Sequence, residues 1–340
     1  MGQSKHPLIS VVILNYNGRG ISEPCVESVL NSDYPEFEVV VVDNASNDGS
    51  AEEIEQRFGN DKRLRLVRSP VNLFYTGGNN IGIRESKGEY IFVINNDTEI
   101  DRDCLSRISS AMRDERIGAA QPKILLYGRD SVIDNTGGLI DRLGYTKGRG
   151  SKEKDAGQYD GRPGIFFAGG TAIVLKKKVL GEVGVFDDKF VAHWEDVDLS
   201  WRIRLKGYKI VFIPEALIHH KVSQSIKKLS ANEVVSFHIR KNRIAGLIKN
   251  YGLVNMLRYL PMLLLVYIFV FIKEALMDRK IKMALSSIYA IAWNLKELPC
   301  LLKKRRVVQN TIRAVPDREI LAHFLDTSLV LEQFLKLKNG

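Results

Sequence analysis

Carboxylates gathered at one point of a chain are a first place to look for acid–base chemistry. Residues 193–202 (HWEDVDLSWR) hold three of them, Glu195, Asp196 and Asp198, within four positions. The dipole at a helix start favours negative charge there and explains part of the cluster. It does not explain His193 and Trp194 beside it. An aromatic next to a carboxylate makes a platform for a sugar ring, and an acid in that position can act as a general base. A second candidate is Asn95-Asn96-Asp97. A carboxylate among amides can hold a divalent cation through oxygen ligands, a kind of site that Mg²⁺ and Mn²⁺ prefer and usually share with substrate phosphates. The same triplet also reads as a turn with Asp97 capping the next helix. In His219-His220-Lys221-Val222-Ser223-Gln224-Ser225, His220 could complete a metal shell or touch a phosphate, although a lone His pair is more often structural.

The elements that would carry these residues alternate. Strands are predicted at Leu8–Leu14, Glu38–Val42, Leu64–Val67, Tyr90–Ile94, Ala119–Ile124, Ile173–Leu175 and Lys209–Ile213. Helices are predicted near Glu23–Ser32, Ser50–Arg57, Asn79–Ser86, Arg102–Arg113, Lys176–Val183 and Asp196–Lys206. The apolar runs VVIL and VVVV read as strands buried on both faces, and their alternation with helices implies an α/β fold with a mainly parallel sheet. In such sheets ligands sit beyond the carboxyl ends of the strands. That places Asn15-Tyr16-Asn17-Gly18 after the first strand and Asp43-Asn44-Ala45-Ser46 after the second in candidate ligand positions, with Asp43 able to accept from a base or ribose. Asp48 and Ser50 read as helix caps. The small residues of 72–82 (NLFYTGGNNIG) would let a helix N-terminus approach an anionic group, or form only a turn. Residues 142–163 are polar and Gly-rich and read as a mobile loop.

Charge divides the chain. Residues 1–218 hold 29 Lys+Arg against 32 Asp+Glu, while residues 219–340 hold 21 against 8. A basic excess joined to apolar segments points to an anionic membrane surface rather than to nucleic acid. The uncharged stretches Tyr259–Ile272 and Met283–Leu295 are 14 and 13 residues long, short of the roughly 20 a spanning helix needs. Helices lying in the interface are therefore expected, with Lys273, Lys280, Lys282 and Lys303–Arg306 reaching headgroups; a helical subdomain or a homo-oligomer interface is the other reading. Three scattered cysteines, Cys25, Cys104 and Cys300, suggest a reducing compartment. No apolar signal region precedes the first strand, and Gly2 with Ser4 only weakly matches a myristoylation start.

Taken in order, VVILNYNG, VVDNASNDGS, NLFYTGGNNIG, INND, AGGTAIV, HWEDVDLSWR and IHHKVSQS resemble the family 2 glycosyltransferases over about residues 7–250, and within them bacterial and archaeal rhamnosyltransferase-like enzymes of polysaccharide assembly. The resemblance implies a GT-A nucleotide-diphospho-sugar transferase fold at 1–225, followed by a basic, apolar helical region at 226–340 that associates with membrane or with a second copy. It implies that Asn15 and Asp43 bind the nucleotide, that Asn79 lines the donor site with Asn95 and Asn96, and that Asp97 is the Mg²⁺ or Mn²⁺ ligand, with His220 holding the diphosphate or metal. The family's DxD-type motif keeps only its last carboxylate here. Gly169 and Gly170 would border the acceptor, Trp194 would lie beside it, and Asp196, paired with Glu195, would be the base of an inverting displacement. The implied partners are a nucleotide-sugar donor and a lipid-linked or glycan acceptor, at the cytoplasmic face of the cell membrane. Two other readings compete. A nicotinamide oxidoreductase would use Gly18-Arg19-Gly20 as a near miss to GxGxxG, but the third Gly is absent. A catalytically weak sugar-nucleotide-binding membrane scaffold is permitted by Asn95-Asn96, and the intact Glu195-Asp196 pair argues against it.

Overall fold

The computed structural model describes residues 6–129, 131–222 and 233–330. Gly2, Ser4, Ser223–Ser225 and the expected boundary between residues 225 and 226 lie outside the described residues. The β-branched runs form the centre of the sheet. Strand β1 (Ile9–Asn15) pairs in parallel with β2 (Phe37–Asp43) and with β4 (Tyr90–Asn95), and β2 pairs in parallel with β3 (Leu64–Arg68). Helices α1 (Ser22–Leu30), α2 (Ser50–Phe58) and α3 (Phe74–Glu85) connect these strands. Val11, Val12, Val40 and Val41 are fully buried, as strands covered on both faces require.

Beyond β4 the sheet becomes mixed. β5 (Thr98–Ile100) and α4 (Cys104–Ala111) follow, then β6 (Ile117–Leu126), the short β7 (Ile133–Asn135), β8 (Gly138–Ile140), β9 (Thr146–Gly148) and β10 (Ala172–Lys176). β10 lies antiparallel between β4 and β6. After α5 (Lys177–Val183) and α6 (Glu195–Leu205), β11 (Lys209–His220) runs parallel to β6. β11 continues seven residues past its expected end at Ile213. The register shifts between Ile213 and Leu217, where Pro214 has no N–H to give the ladder, and pairing then resumes. His219 and His220 therefore stand in the strand, not after it.

The segment read as a mobile loop is tied down instead. β8 and β9 form a hairpin. The Arg149 guanidinium donates to the carbonyls of Thr136 (2.9 Å) and Arg162 (2.7 Å), and Lys123 pairs with Asp155 and Asp160. All the partners outside 142–163 come from neighbouring strands and turns, which composition does not reveal.

Among the described residues, α7 (Glu233–Asn250), α8 (Leu253–Ile272), α9 (Ile281–Lys296), α10 (Leu298–Val307) and α11 (Asp317–Leu321) follow. α8 runs unbroken through Arg258 and Pro261 and continues as a π-helical turn, so that 25 residues, Leu253–Met277, form one helix whose most apolar 18-residue stretch has a mean hydropathy of 2.1. This corrects the expectation of a stretch too short to span. By length and composition this helix could cross a bilayer, because Arg258 lies near its N-terminal end and Pro261 removes one hydrogen bond without ending it. Tyr259, Leu263 and Tyr267, four residues apart, are buried on one stripe, whereas Val254, Leu257, Leu265, Phe269 and Leu276 are exposed.

The basic excess is also partly internal. Lys241, Arg243 and Lys249 are buried, Lys304 pairs with Asp187, and Arg305 donates to the carbonyls of Ile248 and Tyr251. Lys304 and Arg305 are thus not free to read headgroups as expected, while Lys280, Lys282, Lys303 and Arg306 are exposed. α7 lies close against the catalytic region at Gly246, where any Cβ would overlap the Trp194 indole. Gly246→Ala should gain about 1 kcal/mol of helix propensity and lose about 1–3 kcal/mol to overpacking. A urea-unfolding midpoint below wild type is expected, and one above it would show that the ring can yield.

Candidate functional site

Three successive residues at the end of β4 reach three different places. Asn95, the last residue of the strand, lines a cavity of about 370 Å³. Asn96 donates from Nδ2 to Ser22 Oγ at 2.8 Å. Ser22 Oγ in turn donates to Asn15 Oδ1 at 2.7 Å, and the Asn15 amide nitrogen donates to Asp43 Oδ1 (3.0 Å), Ser46 Oγ (3.1 Å) and Ser50 Oγ (2.9 Å). Asn15 and Asn96 are therefore joined to Asp43 in one network across the strand ends. Fully buried Asn15 is its hub, with its side chain spent on protein partners.

Asp97 turns the other way, toward β11. Its Oδ1 lies 3.3 Å from His220 Nε2, and His220 Nδ1 bonds Asp134 Oδ2 at 2.8 Å. Burial opposes a charge on this imidazole, but the hydrogen bonds and charges of Asp134 and Asp97 outweigh it and push the pKa up to about 9. Nε2 is buried and makes no hydrogen bond of good geometry. Once a cation displaces the proton from Nε2, a carboxylate beside an imidazole nitrogen, its ring fixed from behind by a second carboxylate, fits a divalent cation shared with substrate phosphates. Among the described residues no three His, Cys, Asp or Glu side chains converge to hold a metal unaided. The donor set therefore suits a cation that arrives with its phosphate ligands.

The cavity bordered by Asn95 is closed on its far side by the N-terminus of α6. The approach to that helix is strained: Val191, His193 and Trp194 all have positive φ (69°, 64° and 70°), a region costly for side chains with a Cβ. Asn242 on α7 holds the turn, its Nδ2 donating to the carbonyls of Phe190 (3.0 Å), Ala192 (3.0 Å) and His193 (2.6 Å). The turn places Glu195 and Asp196 on the cavity. Asp196 Oδ2 accepts the Gly170 N–H at 2.9 Å, and its Oδ1 accepts the Val197 N–H at 2.8 Å. The neighbouring Gly169 N–H donates to Gln121 Oε1 at 2.6 Å. Tyr75 donates from its hydroxyl to the Gly170 carbonyl at 2.6 Å, and a Cβ on Gly170 would lie 2.9 Å from that hydroxyl oxygen.

Burial raises the pKa of both carboxyls. Asp196 adds its charge to the burial of Glu195, which is raised well above the ordinary value, whereas the N–H groups of Gly170 and Val197 hold Asp196 down. Their surroundings therefore favour ionisation at Asp196 over Glu195. The third carboxylate of the cluster has a different fate. Asp198 is fully buried on the other side of α6, bonded to Lys249 (3.0 Å), Arg202 (3.0 Å) and Asn250 (3.0 Å). Lys249 and Arg202 overcome its burial and lower its pKa.

Two expected site residues sit differently from their reading. Trp194 is only 5% exposed; its Nε1–H donates to the Gly144 carbonyl at 3.1 Å and its ring packs beside Trp201. It borders the cavity as part of the wall and is not an open platform. Asn79 is buried within α3, its Nδ2 bonded back to the Tyr75 carbonyl at 2.9 Å, and it is not among the residues lining the cavity. The residues that sequence reasoning missed are Tyr75, Gln121, Asp134 and Asn242. Of these four, only Tyr75 lies within a motif.

Residues 10–184, just over half of the chain, match the sequence model of the family described as Glycosyl transferase family 2. An uncharacterized protein of Sinorhizobium fredii, y4gI, is 29% identical over 229 residues, covering 64% of this chain and 25% of that protein. The poly-beta-1,6-N-acetyl-D-glucosamine synthase of Staphylococcus epidermidis is 27% identical over 222 residues, 64% of this chain and 51% of the synthase. The chain thus spans half or less of the length of these relatives. Among solved structures, the mannosyltransferase PcManGT of Pyrobaculum calidifontis, in complex with GDP-Man and Mn²⁺, superposes with a TM-score of 0.54 at 17% identity, covering 86% of this chain and 88% of that one. The architecture is the GT-A fold. 

The raised pKa of Glu195 has a stability consequence. Unfolded, the carboxyl ionises near its ordinary value of 4.5; folded, it holds its proton to a higher pH. It therefore costs stability increasingly as pH rises from the unfolded toward the folded pKa. Glu195→Gln removes that cost. The variant's melting temperature should exceed wild type at pH 8 by more than at pH 5. A difference that does not change with pH would place Glu195 as an ionised side chain.

Proposed function

The chain belongs to Glycosyl transferase family 2, and from that premise we propose that it transfers a sugar from a nucleotide-diphosphate donor to an acceptor hydroxyl, with inversion at the anomeric carbon. The observation that carries this reading is the Asp196 carboxylate, fixed by two backbone N–H groups on the cavity wall while Asn95 of the same cavity is two residues from Asp97. Asp196 is read as the base, and Asp97 with His220 as the group that faces the diphosphate. The Asp196 carboxylate takes the proton of the acceptor hydroxyl, whose oxygen forms the new bond to the anomeric carbon as the bond to the diphosphate oxygen breaks on the opposite face. Asp97 and His220 would hold Mg²⁺ or Mn²⁺, which supplies charge stabilisation to the leaving diphosphate. Glu195, protonated, keeps a second negative charge away from the base. Tyr75 and Gln121 fix the Gly169-Gly170 backbone whose N–H orients Asp196.

The transferred sugar is read as a hexose such as rhamnose, and the acceptor as lipid-linked or a growing glycan. The exposed apolar side of α8, with Lys280, Lys282, Lys303 and Arg306 also exposed, supports placement at the cytoplasmic face of a membrane. The scaffold reading loses support from the cavity itself, which presents an oriented, titratable carboxylate.

Asp196→Asn should keep donor binding and lower turnover by about 10²–10⁴, the usual worth of a general base. Near wild-type turnover in a donor panel would remove Asp196 from that role. Asp97→Ala should abolish the enhancement of nucleoside-diphosphate binding by Mn²⁺ in calorimetry. If wild-type binding already ignores EDTA, the cation has no place in the reaction.

A further inference from the structure

A second cavity, of about 480 Å³, lies away from the catalytic one, between α8, the turn joining β8 to β9, and residues 325–330. We propose that it receives the hydrocarbon tail of a phosphate-bearing membrane lipid, whose phosphate is met by Arg142 and Arg258 at the cavity's mouth. The inference deepens the reading of a lipid-linked acceptor and rests on it.

The cavity is built, not left over. Asp141 is buried, and its carboxylate accepts the N–H groups of Leu143, Tyr145 and Leu329, each at 2.9 Å. The Leu325 N–H donates to the Ile140 carbonyl at 2.8 Å. These bonds clamp the chain near residue 329 to the hairpin turn and set one wall at a fixed distance from α8. They also occupy the one carboxylate of the interior, so Asp141 offers a ligand no acceptor. Leu143, Tyr259, Met262, Val266, Leu325 and Val330 give the cavity a mainly apolar lining, with Thr327 and Ser328 as the only hydroxylic residues besides Tyr259 on its border. Such a lining desolvates a nucleotide or sugar and returns few hydrogen bonds, whereas an alkyl or isoprenoid chain needs none. The volume lies within the usual range of ligand sites.

Charge selects the headgroup. Arg142 and Arg258 both border the cavity. Arg142 is half-exposed and stands 3.6 Å from Asp326, itself 99% exposed, a pair held too loosely and too openly to be strong. Arg258 is exposed, with its guanidinium over the Tyr259 ring. Guanidinium groups are suited to phosphate oxygens, and Asp326 can swing aside. Access comes from the right direction, because α8 lines the cavity and presents exposed Leu257, Leu265 and Phe269 on its outer surface. On the other side of the same turn, the Gly144 carbonyl accepts the Trp194 indole N–H, and Thr146 and Trp194 line the cavity that holds Asp196. One turn of chain therefore separates the lipid tail from the base. A lipid anchored there would be held beside the wall of the cavity that carries Asp196.

The test uses the full chain and the series butyl, octyl and dodecyl phosphate below their micelle concentrations, with octanol and inorganic phosphate as the separate halves. Each added methylene buried should tighten binding by about fourfold, so octyl phosphate, with four more, should exceed butyl phosphate by about two-hundredfold, and inorganic phosphate should bind weakest. Met262→Trp and Val266→Phe, which fill the cavity from one wall, should each flatten the dependence on chain length while leaving nucleoside-diphosphate binding and thermal melting near wild type. Arg142→Gln combined with Arg258→Gln should weaken octyl phosphate about tenfold and leave octanol unchanged. Binding that ignores chain length, a length dependence that survives both filling variants, or octanol matching octyl phosphate would each overturn the proposal. So would self-association of the chain through this face with no alkyl phosphate bound. A wild-type protein that binds octyl phosphate but no nucleoside diphosphate would overturn the glycosyl-transfer reading and leave this site standing.

Discussion

The site depends on one physical arrangement: a strained turn before α6, held from behind by α7. Three side-chain-bearing residues at positive φ carry a conformational cost that persists only where surroundings over-determine it. Here the surroundings are the Asn242 amide on three carbonyls and, one turn further along α6, Asp198 between Lys249, Arg202 and Asn250. Buried ion pairs add little net stability, but removing one partner leaves an uncompensated charge that costs about 3–5 kcal/mol. The network therefore specifies geometry more than it stabilises. The C-terminal helix α7, which composition separates from the N-terminal part of the chain, is the splint of α6.

The same helix shows how spacing sorts chemistry. Asp196 and Asp198 are two positions apart, about 200° around an α-helix. One meets the backbone N–H groups at the cavity; the other is turned into the interface with α7 and neutralised by a lysine and an arginine. Glu195 shares the cavity but lacks the Gly170 and Val197 N–H groups that lower Asp196, so burial and its neighbour's charge outweigh the one backbone hydrogen bond that lowers it. Three acids within four positions thus acquire three different environments through their partners alone.

Much of the fold was legible. The VVIL and VVVV runs are β1 and β2 within a residue or two at each end, because double-sided burial demands continuous apolar residues. The strand-end motifs of β1, β2 and β4 do meet, through Asn15 and Ser22. Other features left no local trace. The antiparallel insertion of β10 and the resumption of β11 after Pro214 are decided by pairing partners distant in sequence. The Gly-rich residues 142–163 read as a free loop because Arg149 and Lys123 act on groups that no window of sequence places together.

From the sequence alone came the order of the elements, the identity of the motif residues and the existence of a basic, apolar C-terminal third, all of which follow from periodicity and residue type. Tertiary structure decided what those residues are free to do. It turned Asn15 inward as a hub, set Trp194 into a wall, consumed Lys249 and Lys304 in buried pairs, and brought Asp134 to His220. It also made one continuous helix of Leu253–Met277, where an uncharged-window count had stopped at Arg258. The physical reason is the same throughout. Local propensity sets the backbone path, but a polar side chain's role is set by whichever donor, acceptor or charge the fold delivers to it, and those come from residues far away in the chain.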